Sequence, residues 1–188
     1  MPYSKPVFDG LAAQVIRAIA PRTCLDLGAG AGKYGKLVRR ECPACRLAAV
    51  ESHRGNIARF GLSEIYDTVE CADVMSLFDT ALDAEYDLVV AGDLIEHLRK
   101  SDGIDLLNFL VYRAAFILVV YPTRFIQGVV DGNRREAHIS AWSEYDFAWC
   151  EHTGVVTKGK QEIVVLRGFL PHAAAIADLD RLMTGFAL

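Results

Sequence analysis

The chain has 188 residues, 52% of them hydrophobic, which is enough to bury a full core without disulfides or a structural metal. Its 20 Lys and Arg against 24 Asp and Glu give a formal net charge of −4, which argues against a surface built to bind nucleic acid. No apolar run approaches the ~18 residues of a membrane span, and residues 1–5 open no signal peptide, so we expect no membrane partner.

The five cysteines are an odd number in a chain with no predicted export signal. We therefore interpret them as reduced thiols and expect a cytoplasmic protein. The sequence shows no repeat, low-complexity segment or domain boundary, so we expect a single domain over residues 1–188.

Predicted helices and strands alternate along the chain. Apolar residues at helical spacing predict a first helix from Phe8 to Ile19, which Pro21 closes. The short apolar run at 23–27 predicts the first strand, and residues 33–41 predict the first crossover helix. The later predicted elements are strands at 46–50, 66–71, 86–92 and 115–121, and helices at 54–60, at 76–82 and from 101 onward.

Two β-rich runs near the end of the chain, 154–158 and 161–166, are joined by a turn at Gly159 and Lys160. A turn containing glycine between two such runs is typical of a β-hairpin. Five strands separated by helices and followed by a hairpin predict an α/β fold. We expect a doubly wound seven-stranded sheet, mostly parallel, with an antiparallel C-terminal hairpin.

The first predicted strand ends in an acid, and three alternating glycines follow it: Asp26, Gly28, Gly30 and Gly32. This pattern indicates a buried strand that runs into a tight turn, whose bare backbone lets a ligand approach closely. A P-loop is excluded, because counting from Gly28 places Lys33 where its second glycine belongs. The dinucleotide fingerprint G-x-G-x-x-G fails at the same position.

The next three predicted strands also end at or near an acid, namely Glu51, Asp73 and Asp93. Together with Asp26, these acids are spaced by about one strand-helix unit. In an open parallel sheet they would line the edge formed by the carboxyl ends of the strands, where such folds bind ligands. The alternative is that acids follow strands only as helix caps and solvated turn residues.

The pattern D-x-G-x-G-x-G at residues 26–32 resembles the first motif of class I S-adenosylmethionine-dependent methyltransferases. The resemblance extends from about Phe8 to Phe169. It implies the Rossmann-like methyltransferase fold, in which the last strand is inserted beside the fifth, and it implies S-adenosyl-L-methionine as the cofactor. The residues that it assigns to cofactor binding are Asp26, Gly28, Gly30, Gly32, Tyr34, Glu51, Ser52, Asp73, Val74, Gly92, Asp93 and His97.

The resemblance also implies which part of the cofactor each of these residues contacts. The glycine turn lies under the methionine end, and Asp26 fixes the turn and the ligand's ammonium. Glu51 accepts hydrogen bonds from both ribose hydroxyls, and Asp73 takes the adenine amino group. Asp93 lies near the methionine ammonium and the reacting methyl.

The segment 93–98 reads D-x-x-E-H-L, which resembles the branch of these enzymes that acts on small molecules and lipids. His97 either pins the loop beneath the cofactor or touches the substrate. The metal-dependent catechol type would carry Asp-Asn just after the fifth strand, where residues 121–124 stand instead. We therefore expect no metal site.

The longest irregular stretch runs from 122 to 141 and contains His138, four residues before Trp142. The spacing resembles small-molecule methyltransferases in which such a histidine reaches the active site. His138 is thus the candidate catalytic base, since imidazole accepts a proton near neutral pH. Alternatively, His138 and Trp142 only pack the loop down. Arg134 and Arg135 either bind an anionic group of the substrate or are solvated.

The sequence-based hypothesis is methyl transfer from S-adenosylmethionine to a small-molecule acceptor by in-line displacement. Two alternatives remain open: a methyltransferase that acts on a protein or RNA, and a non-catalytic module that binds S-adenosylmethionine. The sequence does not indicate the oligomeric state or the atom that is methylated.

Overall fold

The computed structural model describes residues 6–80, 83–123, 127–130, 132–170 and 173–186. These residues form a seven-stranded sheet with helices on both faces. The strands are β1 Thr23–Leu27, β2 Arg46–Val50, β3 Thr68–Glu70, β4 Tyr86–Gly92, β5 Ala114–Pro122, β6 Val156–Lys158 and β7 Gln161–Arg167. The helices are α1 Asp9–Ile19, α2 Lys33–Glu41, α3 Arg54–Arg59, α4 Leu62–Ile65, α5 Leu77–Thr80, α6 Lys100–Val111 and α7 Ala173–Phe186.

The strand order is β3-β2-β1-β4-β5-β7-β6. The first five strands are parallel, and β7 lies antiparallel between β5 and β6. This confirms the predicted doubly wound sheet with an antiparallel C-terminal hairpin. Leu27 in β1 is opposite Val50 in β2 and Ala91 in β4, so three strands end side by side at one edge of the sheet.

Apolar side chains cover both faces of the sheet, because its central strands are buried almost throughout. On one face, α1 buries an apolar stripe that includes Leu11, Val15 and Ile19, at the spacing of a helix face. On the other face, α6 buries Leu107 and Leu110. The core thus holds the sheet rigidly and leaves the loops at the carboxyl edge to form a site.

Four features differ from the sequence-based expectation, and the first is the short helix α4, for which no helix was predicted. The third strand is shorter than predicted, because Tyr66 follows helix α4 and turns its hydroxyl toward Asp26. The helix predicted at 76–82 is α5, preceded by a 3-10 turn over Val74–Ser76, and residues 81 and 82 lie outside the described ranges. Helix α7, which was not predicted, packs against α1 and buries Leu179 and Met183.

Candidate functional site

A cavity of about 300 Å³ opens at the carboxyl edge of the sheet, above β1, β2 and β4. Most of the residues predicted for the site line it: Gly28, Gly30, Tyr34, Glu51, Ser52, Asp73, Val74, Gly92, Asp93, His97 and His138. Asp26 and Gly32 do not. The sheet edge therefore brings together residues from strands that are far apart in the sequence.

The glycine turn after β1 forms the floor of one end of the cavity. Gly28 and Gly30 have φ angles of 67° and 52°, a region that side chains other than glycine rarely enter. The N–H of Gly28 donates to the carbonyl of Val50 at 2.8 Å, so the turn is fastened to the end of β2. A ligand above the turn meets bare backbone.

Asp26 and Gly32 support the turn from outside the cavity. The side chain of Asp26 is 1% exposed, and its Oδ2 accepts a 2.5 Å hydrogen bond from the Tyr66 hydroxyl. Burial raises the pKa of Asp26 to about 7, although the hydrogen bonds from Tyr66 and the Gly35 backbone oppose the shift. Gly32 begins α2 at a φ of 73°, where an added Cβ would lie 2.6 Å from Ile65 Cδ1. Both residues shape the turn rather than the cavity wall.

Glu51, at the end of β2, is 5% exposed and held by three donors. Its Oε2 accepts from the N–H of Gly30 at 2.8 Å, and its Oε1 accepts from the N–H of His53 at 2.7 Å and from Asn56 Nδ2 at 3.3 Å. These bonds fix the carboxylate at the cavity wall. They use both lone pairs of Oε1 and one of Oε2, which leaves the second lone pair of Oε2 for a ligand.

Asp73 joins the end of β3 to the loop that follows β5. Its Oδ1 accepts from the N–H of Met75, and its Oδ2 lies 3.2 Å from Arg135 Nη1. Both side chains are at least half exposed, so the ion pair contributes little stability, about 0–1 kcal/mol. Its position is more informative, because both residues line the cavity and the ion pair joins the end of β3 to the loop after β5.

Gly92, the last residue of β4, lies against the ring of Tyr34. A Cβ at this position would be 1.9 Å from Tyr34 Cε2, so only glycine fits beside the ring. The hydroxyl of Tyr34 is buried and has no hydrogen-bond partner among the described residues. Burial, with a contribution from nearby Asp93, raises the pKa of Tyr34 well above its usual value. Tyr34 is therefore a neutral donor available to a ligand.

Asp93 follows β4 in a left-handed conformation, with a φ of 51°. Its N–H donates to the carbonyl of Val120, and its Oδ1 accepts from Gln161 Nε2 at 3.0 Å. Its buried Oδ2 has no hydrogen-bond partner in the described parts of the chain. The sequence did not indicate Gln161, because it lies at the start of β7, and only the insertion of β7 beside β5 brings it to the site.

Glu96, His97 and His138 form a cluster at the end of the cavity opposite Glu51. Their ligand-type atoms all lie within 4.8 Å of one another, and the two imidazole rings meet edge to face with centroids 4.8 Å apart. His97 Nδ1 lies 3.2 Å from the carbonyl of Ala137, and burial lowers the pKa of His97. The structure thus brings His138, predicted from the loop after β5, into contact with His97 from the turn after β4.

Glu96 is the residue of this cluster that the sequence prediction missed. It is 2% exposed, and neither oxygen of its carboxyl group has a hydrogen-bond partner within the described ranges. Burial first, and then the charge of Asp93, raise its pKa well above the usual value. The E-H pair in the segment 93–98 was the available signal, but the burial of the carboxyl group depends on the tertiary fold.

The loop after β5 is fastened to the turn at 95–97. Ile139 and Ser140 both donate their N–H groups to the carbonyl of Glu96, at 2.9 and 3.2 Å. Trp142 is buried, and its Nε1–H donates to the carbonyl of Ile95 at 3.0 Å. Residues 138–142 are not helical, so His138 and Trp142 do not lie on one face of a helix. Trp142 anchors the segment, whereas His138 lines the cavity.

Ser143 and Asp146 form a helix cap after the anchored segment. The N–H and the hydroxyl of Ser143 both donate to Asp146 Oδ2, and a 3-10 helix follows over Glu144–Phe147. Lys100 of α6 lies 2.7 Å from the same carboxylate and 4.1 Å from the centre of the Trp142 ring. These contacts hold the anchored segment against α6.

Comparison with known proteins identifies the fold. No family model matches the sequence, and no match was found among curated proteins. Solved structures similar to this chain include an O-methyltransferase family protein from Burkholderia thailandensis (TM-score 0.62, 14% identity, 83% of this chain and 55% of that chain). Another is the plantazolicin methyltransferase BpumL in complex with SAH (TM-score 0.65, 13% identity, 87% and 85%). A third is the N-terminal domain of EvdMO1 in the presence of SAH and D-fucose (TM-score 0.63, 18% identity, 88% and 84%).

At these identities the likeness establishes the fold. The chain has the Rossmann-like methyltransferase fold that the sequence predicted, and it spans about half the length of the Burkholderia protein. None of the helices in the described ranges combines the length and the apolar character that a membrane span requires.

Proposed function

We propose that this protein is an S-adenosylmethionine-dependent methyltransferase that acts on a small-molecule acceptor. The observation that carries the proposal is that one cavity joins two kinds of chemistry. At one end, the glycine turn and Glu51 are linked by a hydrogen bond from Gly30. At the other end lie titratable groups suited to an acceptor, including His97 and His138. The shared fold with proteins crystallised with SAH supports the same interpretation.

The residues present fit the proposed cofactor. Gly28 and Gly30 allow its methionine end to approach the backbone, and Glu51 Oε2 retains a lone pair for a ribose hydroxyl. Asp73 and the buried Val74 line the same cavity, and in this proposal Asp73 takes the adenine amino group. The unpartnered hydroxyl of Tyr34 and the unpartnered Oδ2 of Asp93, as far as the described residues extend, provide buried polar groups toward the methionine end.

S-adenosylmethionine, when bound, supplies an electrophilic methyl on a positively charged sulfur, and the electron pair of the broken carbon–sulfur bond stays on sulfur. The chain itself has to align the acceptor with this methyl and exclude water. In this proposal Asp93 and Glu51 orient the cofactor. His138 lies beside the acceptor, and where the acceptor is a hydroxyl or a protonated amine, the ring nitrogen of His138 takes its proton.

A small acceptor fits the enclosure better than a macromolecule. A volume of about 300 Å³ lies at the lower end of the range for small-molecule pockets. Arg135 and His138, both from the loop after β5, line the cavity, and the ion pair with Asp73 and the backbone bonds to Glu96 hold this loop over the sheet edge. The solved structures with this fold include the plantazolicin methyltransferase BpumL and the mitomycin 7-O-methyltransferase MmcR.

Two measurements test the proposal. Calorimetric titration with S-adenosylhomocysteine should show one site per chain, whereas NAD should show none. A panel of small hydroxyl, amine and carboxyl compounds, incubated with S-adenosylmethionine, should then yield a methylated product by mass spectrometry. Binding of NAD without binding of S-adenosylhomocysteine would overturn the proposal. If S-adenosylhomocysteine binds tightly but only protein or RNA is methylated, the acceptor is a macromolecule and not a small molecule.

A further inference from the structure

We propose that Glu96, His97 and His138 bind a divalent transition-metal ion at the acceptor end of the cavity. The binding of the ion is argued from the cluster alone. Only its role in catalysis rests on the proposed methyl transfer. The sequence-based expectation of no metal considered the residues just after β5, whereas these ligands come from the turn after β4 and from the later loop.

The first argument is the carboxyl group of Glu96. It lines the cavity, it is 2% exposed, and both of its oxygens lack hydrogen-bond partners in the described part of the chain. A buried carboxylate without partners is costly, so it requires either a proton or a cation. The nearby carboxylate of Asp93 raises that cost further, since two negative charges share one low-dielectric pocket.

The second argument is the state of the imidazole rings. The carbonyl of Ala137 can only accept a hydrogen bond, so the His97 Nδ1 that faces it at 3.2 Å carries the proton. In the neutral ring the Nε2 of His97 then carries no proton, and its lone pair can coordinate a metal ion. His138 meets His97 edge to face, which brings its ring nitrogen within reach of the same point.

The third argument is that the backbone already holds the cluster together. The N–H of Ile139, next to His138, donates to the carbonyl of Glu96 at 2.9 Å, and the N–H of His138 itself donates to Gln127. A metal with bonds of about 2.0–2.2 Å places its ligand atoms roughly 3–3.5 Å apart. The ligand atoms lie within 4.8 Å of one another, so the more distant of them would have to approach by about 1–2 Å to share one ion.

The donor set indicates which metals fit. Two imidazoles and one carboxylate suit Zn²⁺, Fe²⁺, Co²⁺ or Mn²⁺, whereas Mg²⁺ and Ca²⁺ prefer oxygen ligands alone. Three protein ligands leave further coordination positions open to the cavity. Under the proposed function, an acceptor hydroxyl bound in such a position would release its proton to solvent water more readily, and its oxygen would then attack the methyl group. His138 would in that case serve the acceptor as a ligand of the ion and not as the base that takes the proton.

The test uses the full chain, treated with a chelator and dialysed. We expect Co²⁺ to bind at one site per chain with visible absorption bands, and Zn²⁺ to displace it in calorimetry. Glu96→Gln, His97→Ala and His138→Ala should each weaken binding by at least about 100-fold. His152→Ala is the matched control, because His152 bonds to the Thr153 carbonyl outside the cavity, and its affinity should equal that of the wild type.

Thermal unfolding separates metal binding from a purely structural role of Glu96. Without metal, Glu96→Gln should melt at or above the wild-type temperature, because it removes a buried carboxyl group that has no partner within the described ranges. Zn²⁺ should raise the melting temperature of the wild type but not of Glu96→Gln. Absence of Co²⁺ and Zn²⁺ binding in a wild-type protein that binds S-adenosylhomocysteine would overturn this inference and leave the proposed function intact. Metal binding without binding of S-adenosylhomocysteine would overturn the proposed function and support the metal site.

Discussion

The N–H of Gly30 donates a hydrogen bond to Glu51 Oε2 at 2.8 Å, which ties the turn after β1 to the end of β2. A cofactor that spans these two strands therefore meets a carboxylate whose position depends on the glycine turn, and a turn whose position depends on the carboxylate. The glycine turn and the Glu51 carboxylate therefore form one structural unit on this side of the cavity.

Glu51→Ala removes the hydrogen bond that holds the glycine turn and the acceptor proposed for the cofactor's ribose. Loss of a charge-assisted hydrogen bond costs roughly 1.5–3 kcal/mol, so we expect the affinity for S-adenosylhomocysteine to fall about 10- to 150-fold. Glu51→Gln should not restore it fully, because its amide group places a donor where one of the existing N–H donors already points. Calorimetry on folded variants measures the effect.

The control for Glu51 is Glu64→Ala, which removes an exposed glutamate outside the cavity and should bind S-adenosylhomocysteine like the wild type. Unchanged affinity in a folded Glu51→Ala variant would exclude Glu51 from the binding site.

Gly92→Ala tests the contact between β4 and Tyr34. The added Cβ would lie 1.9 Å from Tyr34 Cε2, so the ring has to leave its place in the cavity wall. We expect a loss of roughly 1–3 kcal/mol in the free energy of unfolding and weaker binding of S-adenosylhomocysteine. Chemical denaturation and calorimetry check the two effects.

The matched control is Gly154→Ala, where an added Cβ meets nothing within 4 Å and stability should hardly change. If the clash is the cause, the double variant Gly92→Ala/Tyr34→Ala should be more stable than the sum of the single effects implies. Additive effects would show that Tyr34 and Gly92 are not coupled.

The sequence predicted the fold because its signals are local. Apolar periodicity marks α1 and the central strands, and the turn at Gly159 marks the hairpin, so each element could be recognised from its own residues. Helix α7 lies outside the predicted elements, although Ile176, Leu179 and Met183 are spaced by three and four residues as on one face of a helix. The short helix α4 carries too few residues for a periodic signal.

The candidate site was predictable where a residue's position follows from the strand that precedes it. Glu51 and Asp93 end strands, so the parallel sheet alone places them at one edge. The burial of Glu96, the contact of Gln161 with Asp93 and the placement of Asp26 beneath the turn depend on how distant segments pack. No pattern local to those residues contains that information.

Asp26→Asn should remove a pH dependence of stability. The pKa of Asp26 is about 7 in the folded protein against a usual 3.8, so between these values the folded protein holds more protons than the unfolded chain. The contribution of Asp26 to the free energy of unfolding is therefore fully present below about pH 4 and is lost as the pH rises through about 7. The substituted asparagine is neutral throughout, and its amide oxygen can still accept from Tyr66.

Denaturation of both proteins at a series of pH values measures this effect. Between about pH 5 and pH 8, the difference in the free energy of unfolding should move in favour of Asp26→Asn by about 1–3 kcal/mol. Asp79→Asn, at an exposed position in α5, should run parallel to the wild type. A constant difference between Asp26→Asn and the wild type would show that Asp26 is ionised in the folded protein throughout this range.

His138→Ala separates acceptor chemistry from cofactor binding. The proposed contacts to the cofactor come from the ends of β1 to β4, whereas His138 belongs to the loop after β5, so affinity for S-adenosylhomocysteine should stay nearly unchanged. Turnover of an acceptor found by the screen should fall roughly 10²- to 10⁴-fold, whether the ring takes the proton itself or holds an ion. The comparison variant is Trp142→Phe, because it loses the hydrogen bond to the Ile95 carbonyl but keeps the His138 imidazole.

The two variants should differ in their kinetics. A loosened segment should mainly raise the KM for the acceptor, whereas loss of the imidazole should mainly lower kcat. Wild-type turnover by His138→Ala would reduce the role of this loop to enclosing the substrate.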